Sequence, residues 1–174
     1  MRVPEIEDSR TRYYKNKKVR EQLLQNFIIL SYKIFKQMNT IKEKEKELLA
    51  DFEMLTEWND KYNYIMDMGN DLPLLPDEDK TPANKVNGCQ SASWLTVKNK
   101  NGKLYFKGDS EAILGKGVIS MLLNLLNGQP ASEIANYDFY LINAIDLPAH
   151  LSPTRKMGLQ AVMRRIKELA SSNL

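Results

Sequence analysis

One thiol dominates the chemistry this sequence can offer. Cys89 is the only cysteine among 174 residues, and it stands in Lys85-Val86-Asn87-Gly88-Cys89-Gln90-Ser91-Ala92-Ser93-Trp94-Leu95, where turn-prone residues give way to an alternating run. A cysteine reacts through its thiolate, so a working one wants partial access and neighbours that favour the anion. Asn87, Gln90 and Ser91 supply a polar setting, and Gly88, lacking a Cβ, admits an unusual backbone angle or the close approach of another molecule. The plain alternative is a small buried hydrophobe, the common fate of a free cysteine.

Other chemistries are narrowed by what is missing. One cysteine makes no internal disulfide and holds no four-thiolate iron–sulfur cluster, and with a single histidine the chain lacks the ligands of a Cys/His zinc site. Gly108 to Gly117 superficially resembles a phosphate-binding loop. It fails because six residues, not four, separate Gly108 from Gly115-Lys116, and Gly117 stands where Ser or Thr would bind magnesium. A cysteine hydrolase with His150 activating Cys89 has the right residue types, but no oxyanion-hole motif accompanies them. A pure interaction module with an inert cysteine also stands.

The elements that must position Cys89 are readable on both sides of it. Asn70 to Pro82, rich in Pro and Asp, is expected to be a long ordered loop. Ser91 to Val97 alternates as a strand, Lys98 to Gly102 supplies turn residues, and Lys103 to Lys107 returns as a second strand, which puts Cys89 at the lip of a hairpin. Before the loop, Leu48, Leu49, Phe52, Leu55, Trp58, Tyr62, Ile65 and Met66 recur at three and four. They predict one helix over Ile41 to Met68 broken near Thr56, or two short ones, started by Thr40 and stopped by Gly69. After the hairpin, Asp109 or Ser110 is expected to cap a helix running to about Asn127, whose apolar second half marks it as the central buried helix. Short helices over Pro130 to Asn136 and Phe139 to Ile145 follow, then a loop from Asp146 to Leu151. Ser152-Pro153 opens a terminal helix with one apolar stripe through Leu159, Val162, Met163, Ile166 and Leu169 and a solvated face at Arg164, Lys167 and Glu168.

Bulk composition places limits on partners. No apolar run approaches the ~20 residues of a membrane span, and Gln25 to Phe35 lacks a signal-peptide cleavage site, so no membrane and a reducing, cytoplasmic setting are expected. The net charge is +3. Residues 1–37 carry nine Lys and Arg against four Asp and Glu, which leaves the remainder at −2, without the overall basic footprint of a nucleic-acid binder. Residues 1–37 are thus expected to form a basic extension, either upstream of a physiological start at Met38 or a genuine arm helical over Val19 to Phe35, and residues 38–174 the functional domain.

Three separated motifs then carry a resemblance. Asn87-Gly88-Cys89-Gln90-Ser91 with Trp94-Leu95, then Gly108-Asp109-Ser110-Glu111-Ala112, then His150-Leu151-Ser152-Pro153-Thr154-Arg155 with Gly158-Leu159, together resemble the SufE family of sulfur acceptors from about Ile41 onward. Met157 departs from the family, which commonly has a polar residue there. The resemblance implies a single α+β domain in which helices cover a small antiparallel β-sheet, a SufE/IscU-like fold, with a third strand that the sequence does not locate. It implies that Cys89 takes persulfide sulfur from a SufS-type cysteine desulfurase, stimulates that enzyme, and passes the sulfur toward a SufBCD-type iron–sulfur scaffold. The chain would then be an accessory of the desulfurase more than a stand-alone enzyme. Pyridoxal phosphate would belong to the partner, and this chain would carry no cofactor or metal. Gln90, Asp109, Lys116, His150 and Arg155, with Trp94, are the supporting or partner-binding candidates. Asp109 has helix capping as its plain role, Arg155 a surface ion pair and His150 loop bracing. Cys89 itself is expected to be partly sheltered at rest.

Overall fold

The structure, a computed structural model, describes residues 40–73 and 75–174, so the expectations for residues 1–37 lie outside it. Thr40 opens α1 (Ile41–Glu53) through a capping box, its hydroxyl taking the Glu43 N–H while the Glu43 carboxylate reaches back to the Thr40 N–H. The chain breaks after Glu53 and resumes as α2 (Trp58–Asn70), the two-helix alternative of the sequence reading. Gly69 is not the stop expected of it. It lies inside α2 where α2 crosses α3 (Ile113–Leu126), and a Cβ there would stand 2.7 Å from the backbone nitrogen of Gly117. Gly117 is tighter still, with the Ile65 carbonyl 2.1 Å from its would-be Cβ. The two glycines let the helix backbones approach closely, a use of glycine that its role as a helix stop does not reveal.

Strands β1 (Ser93–Lys100) and β2 (Lys103–Ser110) form the hairpin; each ends three residues later than expected, and β1 begins at Ser93 instead of Ser91. The turn is only Asn101-Gly102, both residues with positive φ (54° and 79°), the pair suited to a two-residue hairpin connection. The third strand is β3 (Gln129–Pro130), too short to show a period, which pairs Pro130 with Lys103 and Gln129 with Leu104. The sheet order is β1-β2-β3, antiparallel throughout. The expected cap of α3 does not form. Asp109 and Ser110 both remain in β2, and Ala112 precedes α3 without a side-chain cap.

Alternation along the hairpin sorts its two faces. Leu95, Leu104, Phe106 and Gly108 point to the core face, where α3 lies so close that a Cβ on Gly108 would stand 2.8 Å from the Ile119 side chain. As the composition of its second half predicts, α3 is buried nearly all round, from Gly117 to Leu123 and at Leu125 and Leu126. Short helices α4 (Ala131–Asn136) and α5 (Tyr140–Ala144) then lead through a 3-10 turn (Leu147–His150) into α6 (Pro153–Ser171), whose first turn is capped by the Ser152 hydroxyl. The Glu45 carboxylate of α1 accepts hydrogen bonds from the Tyr137 hydroxyl and the Leu141 N–H, fastening the α4–α5 segment to α1.

The α2–α3 crossing leaves no space for a side chain. Gly117→Ala is expected to destabilise the fold by about 3 kcal/mol through overpacking, read as a lowered urea midpoint. Gly102→Ala meets no atom within 4 Å and is strained only by its positive φ, so it should cost less.

Candidate functional site

The segment carrying Cys89 is an arch with fastened feet. Lys85 bridges to Trp94, the Val86 N–H donates to the Ser93 carbonyl at 2.8 Å, and the fully buried Val86 side chain anchors the near end in the core. Between these feet Asn87-Gly88 turns the chain, with Gly88 at φ 102°. A Cβ on Gly88 would lie 3.4 Å from that of Ala161 and 3.7 Å from a guanidinium nitrogen of Arg164, so the arch rests on α6. Cys89 follows at the apex, half-buried, and its thiol donates to the Gly158 carbonyl of α6 at 3.6 Å.

Cys89 lines an open cavity of about 530 Å³ bordered by α2, the end of the hairpin, the start of α3 and the N-terminal half of α6. Its walls are largely apolar, with Met66, Val118, Leu151, Leu159 and Val162, and Ser93 and Ser110 form part of them, their hydroxyls 2.9 Å apart. Gln90, Arg155, Thr154 and Glu111 add polar groups, and the exposed Ile113 borders it as well. Burial pushes the Cys89 thiol above its ordinary range, and the Ser93 hydroxyl and the Arg164 charge pull it only part of the way back. At rest the sulfur is therefore protonated, which is also the form that can donate to the Gly158 carbonyl.

The sequence candidates divide into three places. Gln90 and Arg155 line the cavity with Cys89. Asp109 and Lys116 are not among its lining residues. Neighbouring strand residues point to opposite faces, so Ser110 faces the cavity and Asp109 the other side of the sheet. There the Asp109 carboxylate, 5% exposed, pairs with Lys80 at 3.1 Å and Lys116 at 3.2 Å. It also accepts the Ser110 N–H at 2.8 Å. This is not the helix-cap role expected as its plain alternative. The ion triad instead ties the Pro- and Asp-rich loop to the strand and to α3. Trp94 opposes Asp109 in the hairpin, with the Lys80 ammonium 5.9 Å from the centre of its ring.

His150 is in a third place. Its ring stacks on Trp58 with centroids 3.7 Å apart, its Nε2 lies 3.8 Å from Asp146, and it is not among the residues lining the Cys89 cavity. The sequence reading missed Ser93 and Ser110 as cavity-facing hydroxyls, although the period-two pattern held that signal. It also missed Arg164, which sits on the solvated face of α6 and meets the arch only because the loop folds over that helix. Among the described residues no group of three or more His, Cys, Asp or Glu side chains could hold a metal ion.

Two expectations follow from this geometry. Burial alone would raise the Asp109 carboxyl, but Lys80, the Ser110 N–H and Lys116 outweigh it and hold the group below the ordinary carboxylate range. Its stabilising contribution is therefore complete above the unfolded carboxylate's pKa, near 4, and is lost as pH falls through the lower folded value. Asp109→Asn should cost about 2 kcal/mol at neutral pH, moderated by the partial exposure of both lysines, and the gap from wild type should shrink in urea titrations below about pH 4. For Cys89, iodoacetamide should react about tenfold more slowly with the folded chain than with the chain in urea at neutral pH, and the folded rate should rise at higher pH than the unfolded one.

Comparisons with known proteins bear on the fold and the family. A family profile described as "SufE: Fe-S metabolism associated domain" matches residues 46–170. An uncharacterized SufE-like protein of Rhizobium etli is 39% identical over 129 residues, covering 71% of this chain and 87% of the relative. The solution structure of a hypothetical protein from Thermus thermophilus shares the fold with a TM-score of 0.62 at 18% identity, covering 75% of this chain and 95% of that one. Proteins of the matched family carry no cofactor of their own. With a profile match over most of its length and a relative at this identity, the chain belongs to the SufE family of iron–sulfur metabolism.

Proposed function

We propose that this chain is a sulfur carrier that accepts sulfane sulfur from a cysteine desulfurase onto Cys89 and delivers it to iron–sulfur cluster assembly. The observation that carries the proposal is the Cys89 arch, which presents the chain's sole thiol at a largely apolar cavity with room for additional atoms beside the sulfur. The transfer is an exchange at sulfur. The Cys89 thiolate attacks the outer sulfur of the donor persulfide, a new S–S bond forms on Cys89, the donor S–S bond breaks, and the donor cysteine leaves as thiolate. The proton that Cys89 gives up balances the one the donor thiolate takes, and no external oxidant is consumed.

Several features suit a carrier better than a free-standing catalyst. A second thiol nearby would attack the carried persulfide and release sulfide, and this sequence has none. The protonated, half-buried resting sulfur is a poor nucleophile, so arrival of the donor has to lower that barrier by drawing the arch off α6 or by placing cationic groups near the sulfur. Arg155 lines the cavity and is exposed, and in this reading it contacts such a partner. A SufS-type desulfurase bearing pyridoxal phosphate is the donor in this reading, its turnover is stimulated by the removal of its sulfur, and a SufBCD-type complex is the recipient. The hydrolase reading is weaker, because His150 stacks on Trp58 and does not line the cavity.

Incubation with a cysteine desulfurase, pyridoxal phosphate and cysteine should add the mass of one sulfur atom to the intact protein, removable by reductant. Cys89→Ser should abolish the adduct completely while leaving the melting temperature near that of wild type. An unmodified wild-type chain, under conditions where the desulfurase turns over, would remove Cys89 from the role of carrier.

A further inference from the structure

The side of the hairpin turned away from the cavity has a chemistry of its own. Residues opposite one another in an antiparallel pair share a face. The rows Lys85–Trp94–Asp109, Thr96–Lys107, Lys98–Tyr105 and Lys100–Lys103 therefore all lie on the outer face. Lys85, Lys98, Lys100, Lys103 and Lys107 are exposed there. None of these five forms an ion pair among the described residues, whereas Lys80 at the base of the face is already paired with Asp77 and Asp109. Lys100 directly opposes Lys103, a like-charge pair that weakens a hairpin.

Net charge conceals this concentration. Residues 40–174 carry sixteen Lys and Arg against eighteen Asp and Glu, so without the five lysines the body stands at −7. Lysines commonly guard an exposed sheet edge, and that accounts for Lys98 and Lys100 on β1. It does not account for Lys103, which is paired with Lys100 of β1 on one side and Pro130 of β3 on the other.

We propose that this lysine face is a docking surface for a protein partner with a carboxylate-rich surface, engaged on the side of the sheet opposite the cavity that holds Cys89. The footprint runs about 13 Å along β2 from Lys103 to Lys107 and crosses to β1 about 5 Å away, the scale of a helix or strand edge bearing several Asp or Glu residues. Nucleic acid fits less well. All five cations are lysines, without the guanidinium fork that grips phosphate bidentately. The aromatic rings on the face are overlaid, Trp94 by Lys80 and Tyr105 by Lys100 with the ammonium 5.5 Å from the ring centre, so no open platform is left for a base. The acidic remainder of the body also repels a long polyanion. Because Ser93 and Ser110 face the cavity from the other side of the same strands, an occupant here leaves the thiol reachable, and two partners can be held at once. The inference does not depend on the sulfur chemistry proposed for Cys89.

The test titrates the isotopically labelled full chain with a Glu-rich peptide, with duplex DNA and with anionic phosphatidylglycerol vesicles at the same physiological salt, reading backbone amide shifts. The expected result is that the peptide perturbs the amides of residues 96–107 and leaves the iodoacetamide rate of Cys89 unchanged. Its affinity should fall at least about tenfold when Lys98, Lys100, Lys103 and Lys107 are all replaced by Gln, and should weaken with added salt. Circular dichroism checks that the Gln variant is folded, and the wild-type footprint stands as evidence without it. Shifts confined to other surfaces, unchanged affinity in the folded variant, or tighter binding of DNA or vesicles than of peptide at residues 96–107 would each overturn the proposal.

Discussion

A buried carboxylate with two lysines holds this domain's working end together. Asp109 is reached by Lys80 from the long loop and by Lys116 from α3 while itself belonging to β2, so one anion joins a loop, a strand and a helix. A charge so enclosed is costly unless it is paired, and here the pairing also fixes position: the loop that leads into the Cys89 arch is held where the sheet ends and α3 begins. Through that junction the strand residue beside Asp109, Ser110, keeps its hydroxyl against Ser93 in the cavity wall.

Stability and reactivity oppose one another at Cys89. The arch lies on α6 at Gly88 and Cys89, where Gly88 turns the chain at a positive φ and the Cys89 thiol meets the Gly158 carbonyl. That contact shelters the sulfur from water and oxidants, and the same burial raises the thiol and withholds the thiolate. A carrier benefits from this opposition, since an idle thiolate exposed to solvent would be oxidised or alkylated before it met a donor.

Much of the fold was legible because local rules coincided with the tertiary outcome. The three-and-four spacing of α1, α2 and α6, the Thr40 and Ser152 caps, and the apolar girth of α3 all have causes within one element. What was illegible depends on neighbours. Gly69 looked like a helix stop because that is the usual local use of glycine, yet Gly117, nearly fifty residues on, gives it a different one. Asp109 looked like a cap because Lys80 lies far from it in sequence. Two-residue β3 carries no pattern at all. At the site, the motif residues Gln90 and Arg155 come together with Cys89, while His150 is drawn to Trp58, a ring partner the linear motif cannot display.

The Asn101-Gly102 turn is the part of the hairpin furthest from Cys89, about 25 Å along the strands from Ser93 and Ser110. Nothing lies within 4 Å of a Cβ built on Gly102, so the positive φ of the two residues, not crowding, restricts the sequence there. Its length is another matter. Because strand side chains alternate, inserting or deleting a single residue there and sliding β2 against β1 would exchange the inner and outer sets of β2. Asp109 would turn toward the cavity, Ser110 would leave it, and Lys103 and Lys107 would face α3. The residue count of an exposed tip is thereby under the same constraint as the thiol itself, and length variation among relatives should be admitted in the loop before Cys89 more readily than in this turn.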